Sequence, residues 1–523
     1  MSFWSLYFIT AIVLHHLGYI HMHLGWNVVL AAYVYWPIRN PLWRRVRLVV
    51  GAAAALVLLW RESPLPPPAY VLQQLKLLSG FSMEYLLELL GRMVNYQWLL
   101  IGVAVVLGYI VLSRRVRFAS FVWLGFLTVL LWPSAVQQHS QMAAQSPQRP
   151  TGPQDATVVV EPSATTASDA QLAQFFESES AKQLAFNQSS IKDFDIILLH
   201  ICSLSWDDLA VIQLQDHPFI SHANIIFKQF NTATSYSGPA SLRVLHGNCG
   251  QQSHSALYSG TSERCFVFPS LEEAGFQTHA LLNHDGKFDN FAKELTERGG
   301  LSGKLELPSG PGATLRSFDN SLIYGDYNVL SQWHARQAKP DAQPTALYYN
   351  SITLHDGVRI LNHASSKNSL DSYLPRAKQM LDDFERFKRE VQASGRPTIM
   401  VLVPEHGANL RGDAMQIAGM REIPSPNITL GPALVYLLNA PAISQDPIVV
   451  EQMMSYFDLY TLLDDMLTNS PFTASPAPLA SRLAKLSGTP YVSESASATV
   501  MQSSDQRFWV RPAGGNTWVE YNH

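Results

Sequence analysis

Hydrophobicity in this chain is sharply segregated, and that limits what the chain can fold into. Residues 1–135 are rich in Leu, Val, Ala and Trp, whereas the rest has the composition of a water-facing globular protein. Five apolar stretches, at 3–20, 24–38, 47–60, 97–113 and 118–134, are candidate membrane spans. Several are shorter than the ~20 apolar residues usually needed to cross a bilayer. The second and third are the weakest and also suit a re-entrant pair. Arg39, Arg44, Arg45 and Arg47 mark the join between those two, and Arg114, Arg115 and Arg117 lie between the fourth and fifth. Basic loops of this kind stay in the cytoplasm. Five crossings then put the N-terminus in the cytoplasm, with residues 61–96 and everything after 135 outside. No cleavable signal pattern precedes these stretches. The segment Pro68–Val94 has apolar residues at helical spacing and is expected along the outer membrane–water boundary. Trp98, Trp123 and Trp132 suit either interfacial anchors or a packed bundle.

Residues 136–190 are rich in Gln, Ser, Ala, Thr and Pro and read as a flexible linker, with a short helix near Leu172–Ser180. A globular domain is expected over 191–523, long enough to bury a large core. In it, apolar runs at 195–201, 278–282, 345–349, 398–403 and 432–438 read as strands, and amphipathic stretches at 372–393 and 450–468 as helices. That alternation predicts an α/β fold with a mostly parallel sheet and helices on both faces. The net charge of −4 gives no sign of a nucleic-acid partner.

In such a sheet the chemistry gathers where strands end. The run Ile399–Val403 ends in Pro404-Glu405-His406-Gly407, and Ile196–Ile201 ends in Cys202-Ser203. A thiol, a carboxylate and an imidazole at two strand ends suggest part of a zinc site. The chain holds 3 cysteines, all in the outer half. Pairing Cys249 with Cys265 would close a loop of about 15 residues, worth ~3 kcal/mol in the chain-entropy model. Cys202 would then be alone, as a metal ligand or as an inert buried thiol.

Ser237, followed by Gly238-Pro239 and an apolar-periodic segment, is expected at a helix N-cap with Pro239 in the first turn. A helix N-terminus favours anions such as phosphate, and a metal-bound hydroxyl there becomes a nucleophile. His355 follows the strand near 346–349 and so reaches the same face. It could move a proton, or it is a solvated loop histidine of no special role. His246, His254 and His279 have weaker claims. His284, after an apolar strand and before Asp285-Gly286, has a better one.

Several motifs together resemble one family. They are Ile201-Cys202-Ser203-Leu204-Ser205-Trp206, Ala233-Thr234-Ser235-Tyr236-Ser237-Gly238-Pro239-Ala240, Cys249-Gly250-Gln251, Leu354-His355-Asp356-Gly357, Pro404-Glu405-His406-Gly407 and Arg421-Glu422-Ile423-Pro424-Ser425-Pro426. The chain resembles the BcsG-type bacterial cellulose phosphoethanolamine transferases over almost its whole length. The resemblance implies an alkaline-phosphatase-like catalytic domain in the periplasm, tethered to the inner membrane by a multi-pass domain. It implies transfer of phosphoethanolamine from phosphatidylethanolamine to cellulose, in biofilm matrix synthesis beside the cellulose synthase complex. Ser237 matches the nucleophile. Cys202, Glu405 and His406 match the zinc ligands, completed by Ser237. His355 matches an active-site histidine, Tyr236 and Arg421 match pocket residues, and Cys249 and Cys265 match a disulfide. Lipid A phosphoethanolamine transferases differ in using Thr as nucleophile, a carboxylate at the place of Cys202, and several disulfides. The competing expectations are transfer to another envelope glycan or lipid A, a phosphodiesterase- or sulfatase-like hydrolase, and a scaffold of the secretion complex. A hydrolase that binds two metals would need more Asp and His near these motifs than the chain has.

Overall fold

The computed structural model describes residues 3–18, 20–63, 80–93, 96–113, 115–131, 167–186, 193–310, 312–337, 343–361, 370–441, 446–515 and 517–521. Most of the expected linker, much of the segment from Pro68, Trp132 and residues 362–369 lie outside them. The chain divides into two compact units. One comprises residues 1–79 and 86–159, the other residues 80–85 and 160–523.

In the first unit each expected apolar stretch is helical: Trp4–His16, Leu24–Tyr35, Pro41–Glu62, Tyr96–Leu112 and Phe118–Leu131. Phe8, Ile12, Leu30, Val34, Ala55, Val122 and Phe126 form a common core. Phe8 and Phe126 meet edge to face at 5.6 Å. Glu62 is buried and accepts from Asn27 Nδ2 at 2.6 Å and from the His23 N–H at 2.8 Å. Leu99, Leu100, Val103, Leu107 and Val111 are exposed along Tyr96–Leu112, an apolar surface of the kind that faces lipid or a partner. Among the described residues no helix is long and apolar enough to cross a membrane. Tyr96–Leu112 is apolar but has 17 residues, about 26 Å at 1.5 Å per residue. Pro41–Glu62 has 22 residues but includes Arg44, Arg45, Arg47, Arg61 and Glu62.

The second unit is built on an eight-stranded sheet. Its strands are β1 Asp195–Ile201, β2 Ile225–Asn231, β3 Gln277–Leu282, β4 Leu305–Glu306, β5 Thr345–Ser351, β6 Thr398–Pro404, β7 Leu430–Leu438 and β8 Ile448–Val450. Their order is β8-β2-β7-β6-β1-β5-β3-β4. Only β7 runs against its neighbours β2 and β6; the other pairs are parallel. Every residue of β1, β5 and β6 is buried, as expected for strands covered on both faces. Successive side chains alternate between two cores. Ile196, Leu198, Val401 and Val403 face the helices Val267–Glu273 and Tyr456–Thr468. Ile197, Leu199, Met400 and Leu402 face Asp326–Gln337 and Tyr373–Ser394.

The five expected strands are all present. The helix expected over 450–468 begins at Tyr456, where Ser455 and Asp458 form a capping box, and the residues before it include the edge strand β8. Asp169–Ser180 is the short helix expected inside the linker, and its Leu172 and Phe175 pack on Val492 and Met501. Those two residues belong to a four-stranded antiparallel sheet near the C-terminus.

Candidate metal and phosphoryl-transfer site

The ends of β1 and β6 lie side by side, with Ile201 in register with Pro404. The residues that follow, Cys202 and Glu405-His406, therefore leave adjacent strands at one level. Cross-links hold them there: Glu405 N–H donates to Ile201 O at 2.8 Å, and Leu204 N–H to His406 O at 2.7 Å. Gly407 permits a close approach, because a Cβ there would lie 2.6 Å from Ser205 Oγ and 2.8 Å from Asp208 Oδ2. The buried Asp208 carboxylate accepts from Ala408 N–H at 2.7 Å and Leu410 N–H at 3.1 Å. Ser203 takes a positive φ of 60°, a costly conformation for a residue with a Cβ.

One donor atom each from Cys202, Glu405 and His406 falls within 4.8 Å of the others, and all three residues are buried. Cys202 Sγ is 3.9 Å from His406 Nε2 and 3.5 Å from Ser237 Oγ. His406 Nδ1 lies 2.9 Å from Gly407 O; a proton donated there leaves the lone pair on Nε2, which lies 3.3 Å from Arg421 Nη1. Asn350 Nδ2 donates to Glu405 Oε1 at 2.6 Å, and among the described residues Glu405 Oε2 is buried with no hydrogen-bond partner. Burial raises the Cys202 thiol, then the neighbouring Glu405 raises it further. Burial likewise raises Glu405 and holds His406 well below the usual imidazole range. A carboxylate oxygen without a donor, beside a buried thiol and imidazole, is the donor chemistry of a divalent cation, which would draw the first two into their anionic forms. The set fits zinc, whose structural and catalytic sites use these ligand types.

Ser237 arrives from β2 and opens the helix Ser237–Leu245. The N-cap is Tyr236 rather than Ser237, which is the first helical residue; the expected N-cap is one place off. The reason is the extended backbone of Tyr236, φ −134° and ψ 148°. Tyr236 donates its hydroxyl to Glu422 Oε1 at 2.6 Å, and Arg421 lies 5.8 Å over its ring. Arg421 Nη1 is 3.2 Å from Ser203 Oγ and 3.1 Å from His406 Nδ1.

His355 is half-buried, its ring 4.6 Å from that of Phe318, with Nδ1 2.7 Å from Asp356 O. Burial and then Arg421 hold its pKa down at about 4, so it is neutral at pH 7. His284, expected as a substrate-binding residue, reaches the cluster through Asn350. It is buried against Phe291, and its Nε2 is 3.2 Å from Asn350 Oδ1. It thus contacts the asparagine that holds Glu405. Cys249 and Cys265 are joined in a disulfide, and Cys202 is a free buried cysteine. Asn350 and Asp208 carry no expectation from the sequence, and Ser203 was named at its strand end without a role. Asn350 had a usable signal, being a polar residue near the end of an apolar strand.

Comparisons with known proteins place the chain in one family. Residues 153–518 match the C-terminal domain family of cellulose biosynthesis protein BcsG, and residues 4–131 match its N-terminal domain family. The cellulose biosynthesis protein BcsG of Escherichia coli strain K12 is 34% identical over 545 residues, spanning 100% of this chain and 96% of that protein. That of Salmonella typhimurium strain LT2 is 34% identical over 546 residues, with the same coverage. Among solved structures, a protein in the alkaline phosphatase superfamily from Vibrio parahaemolyticus covers 68% of this chain and 88% of its own, at 14% identity and TM-score 0.48. A likeness that slight carries no assignment.

Proposed function

The chain belongs to the BcsG family of cellulose biosynthesis proteins, and we propose that it transfers phosphoethanolamine from phosphatidylethanolamine to glucose 6-hydroxyls of cellulose, through a phosphorylated Ser237. One observation carries the reading. Ser237 Oγ, at the start of a helix, lies 3.5 Å from the thiol of a buried Cys-Glu-His donor set. Strand-end placement on a mostly parallel sheet supports an alkaline-phosphatase-like catalytic unit.

Zinc held by Cys202, Glu405, His406 and Ser237 would supply positive charge against the phosphate oxygens and ease deprotonation of the serine. The chain's own groups do the rest. Ser237 Oγ forms a bond to phosphorus while the bond from phosphorus to the glyceride oxygen breaks. Diacylglycerol leaves with one proton, equal to the one Ser237 gives up, and His355 carries it. In the second half a glucose 6-hydroxyl bonds to phosphorus, its proton passes to His355, and Ser237 Oγ leaves and is reprotonated. Arg421 binds phosphate oxygens through both halves. Tyr236 lines the pocket.

The same proposal sets residues 1–135 in the bacterial inner membrane and the catalytic unit in the periplasm. The exposed apolar side chains of Tyr96–Leu112 and the Cys249–Cys265 disulfide support it.

The test is intact mass after incubation with a short-chain phosphatidylethanolamine and no glucan. Wild-type protein should gain one phosphoethanolamine on Ser237. Ser237→Ala should gain none, keep its zinc and melt near the wild-type temperature. An adduct on another residue, or one that persists in Ser237→Ala, overturns the assignment.

A further inference from the structure

A short stretch far from His355 in sequence packs directly on the turn that carries it. Residues 80–85 belong to the second unit, although the residues on either side belong to the first. Tyr85 is 5% exposed, and its hydroxyl donates to Asp356 Oδ2 at 2.8 Å. The other oxygen of that carboxylate accepts from Gly357 N–H at 2.9 Å. The backbone carbonyl of the same Asp356 is the partner of His355 Nδ1. One residue thus links the Tyr85 phenol to the histidine ring.

The packing around this link is tight. Ser82 N–H donates to Phe318 O at 2.8 Å. Phe81 lies 5.3 Å from Phe318 and 5.7 Å from Phe288. Glu84 pairs with Arg359 at 2.5 Å. Phe318 also packs on the His355 ring. Gly357, between them, has a φ of 77°, and a Cβ there would meet Phe318 Cβ at 2.6 Å and Tyr85 Cε2 at 2.8 Å. The turn 355–357 is therefore gripped between Tyr85 and Phe318 in a conformation only glycine takes easily.

A histidine that moves a proton needs a fixed tautomer and a fixed ring orientation. The Nδ1 contact to Asp356 O fixes the first, leaving Nε2 for the reacting atoms. It does so only while residue 356 keeps its place. We propose that Tyr85 is a positioning residue for the transfer reaction, its hydroxyl holding the 355–357 turn through Asp356 and so setting the His355 ring. This rests on the proton-carrying role given to His355 above.

The test uses full-length protein in detergent, with short-chain phosphatidylethanolamine as donor and a soluble cello-oligosaccharide as acceptor. Four variants are compared: Tyr85→Phe, Asp356→Ala, the double variant and His355→Ala. Tyr85→Phe keeps the ring packing and removes only the hydroxyl. Its kcat should fall about tenfold, part of the ~10²–10⁴ that a positioned proton transfer contributes. Its KM for the donor and its melting temperature should stay at wild-type values. The double variant should be no slower than Asp356→Ala alone, because both changes break one link. Wild-type kcat in Tyr85→Phe, with His355→Ala inactive, overturns the positioning role and leaves the His355 reading intact. Full activity in His355→Ala overturns that reading itself. A fall in kcat matched by a fall in melting temperature, or losses that add in the double variant, reduces Tyr85 to packing.

Discussion

Asn350 joins two histidines to one carboxylate. Its Nδ2 reaches Glu405 Oε1, its Oδ1 faces His284 Nε2, and His200 Nδ1 lies 3.5 Å away. Burial holds His284 down at about 4 and His200 at about 3. Both are thus neutral in the fold, yet would titrate near 6.5 once exposed. A depressed pKa means the unfolded chain binds protons first. The stability tied to these groups is full above about pH 6.5 and is lost as pH falls toward 4. Urea midpoints measured at pH 7.5 and pH 5 should show the loss, and His284→Gln should make it smaller. An unchanged difference between the two midpoints in His284→Gln would remove His284 from this account. The ligand residues themselves were legible in the sequence because a Cys and a Glu-His pair stand directly after apolar runs. Asn350 gave only the signal of a polar residue near the end of an apolar strand, and its role, like that of Asp208, depends on which elements become neighbours, which the local sequence does not state.

At the scale of elements, Asp208 ties two pieces together. It closes the capping box of the short helix Trp206–Val211, and it accepts the amides of Ala408 and Leu410 just after the candidate ligands Glu405 and His406. Asp208→Ala leaves those amides without their partner, at about 1–3 kcal/mol for each buried group left unsatisfied. Zinc affinity should also fall, by about tenfold to a hundredfold, as for other outer-shell losses. Thermal unfolding and competition with a chromophoric chelator measure the two effects. A variant that melts lower but binds zinc normally would confine Asp208 to capping. The five strands found in the sequence were continuous apolar runs. β2 was missed because Lys228 and Gln229 interrupt Ile225–Asn231 where the strand is only partly buried. The reversal of β7 was also unreadable, because direction is set by its partners on either side and not by its own residues.

For the molecule as a whole, the division between an apolar first part and a water-facing second was plain from composition. The crossing count was not, because helix lengths depend on caps and charges at their ends. Asn40 caps Pro41–Glu62 and draws Arg44, Arg45 and Arg47 into the helix. Reporter fusions after residues 42, 80, 116 and 150 should read cytoplasm, periplasm, cytoplasm, periplasm if the chain crosses five times. Opposite readings at 42 and 116 would break that topology. Agreement at those two with a periplasmic N-terminus would change the count.

The reversed strand β7 has a consequence for how the catalytic unit can change. β6 ends at the rim where the ligands stand, and β7 begins at that same rim, since Leu430 pairs with Asn231 at the end of β2. Between two parallel strands the connection must travel back across a face of the sheet. Here residues 405–429 make no such journey, so the whole segment is free to furnish the mouth, from Glu405 and His406 to Arg421 and Glu422. It is an interchangeable cassette whose two ends are fixed to one ledge. Changes in its middle can therefore be made while the strands on either side keep their registers and the interior stays sealed.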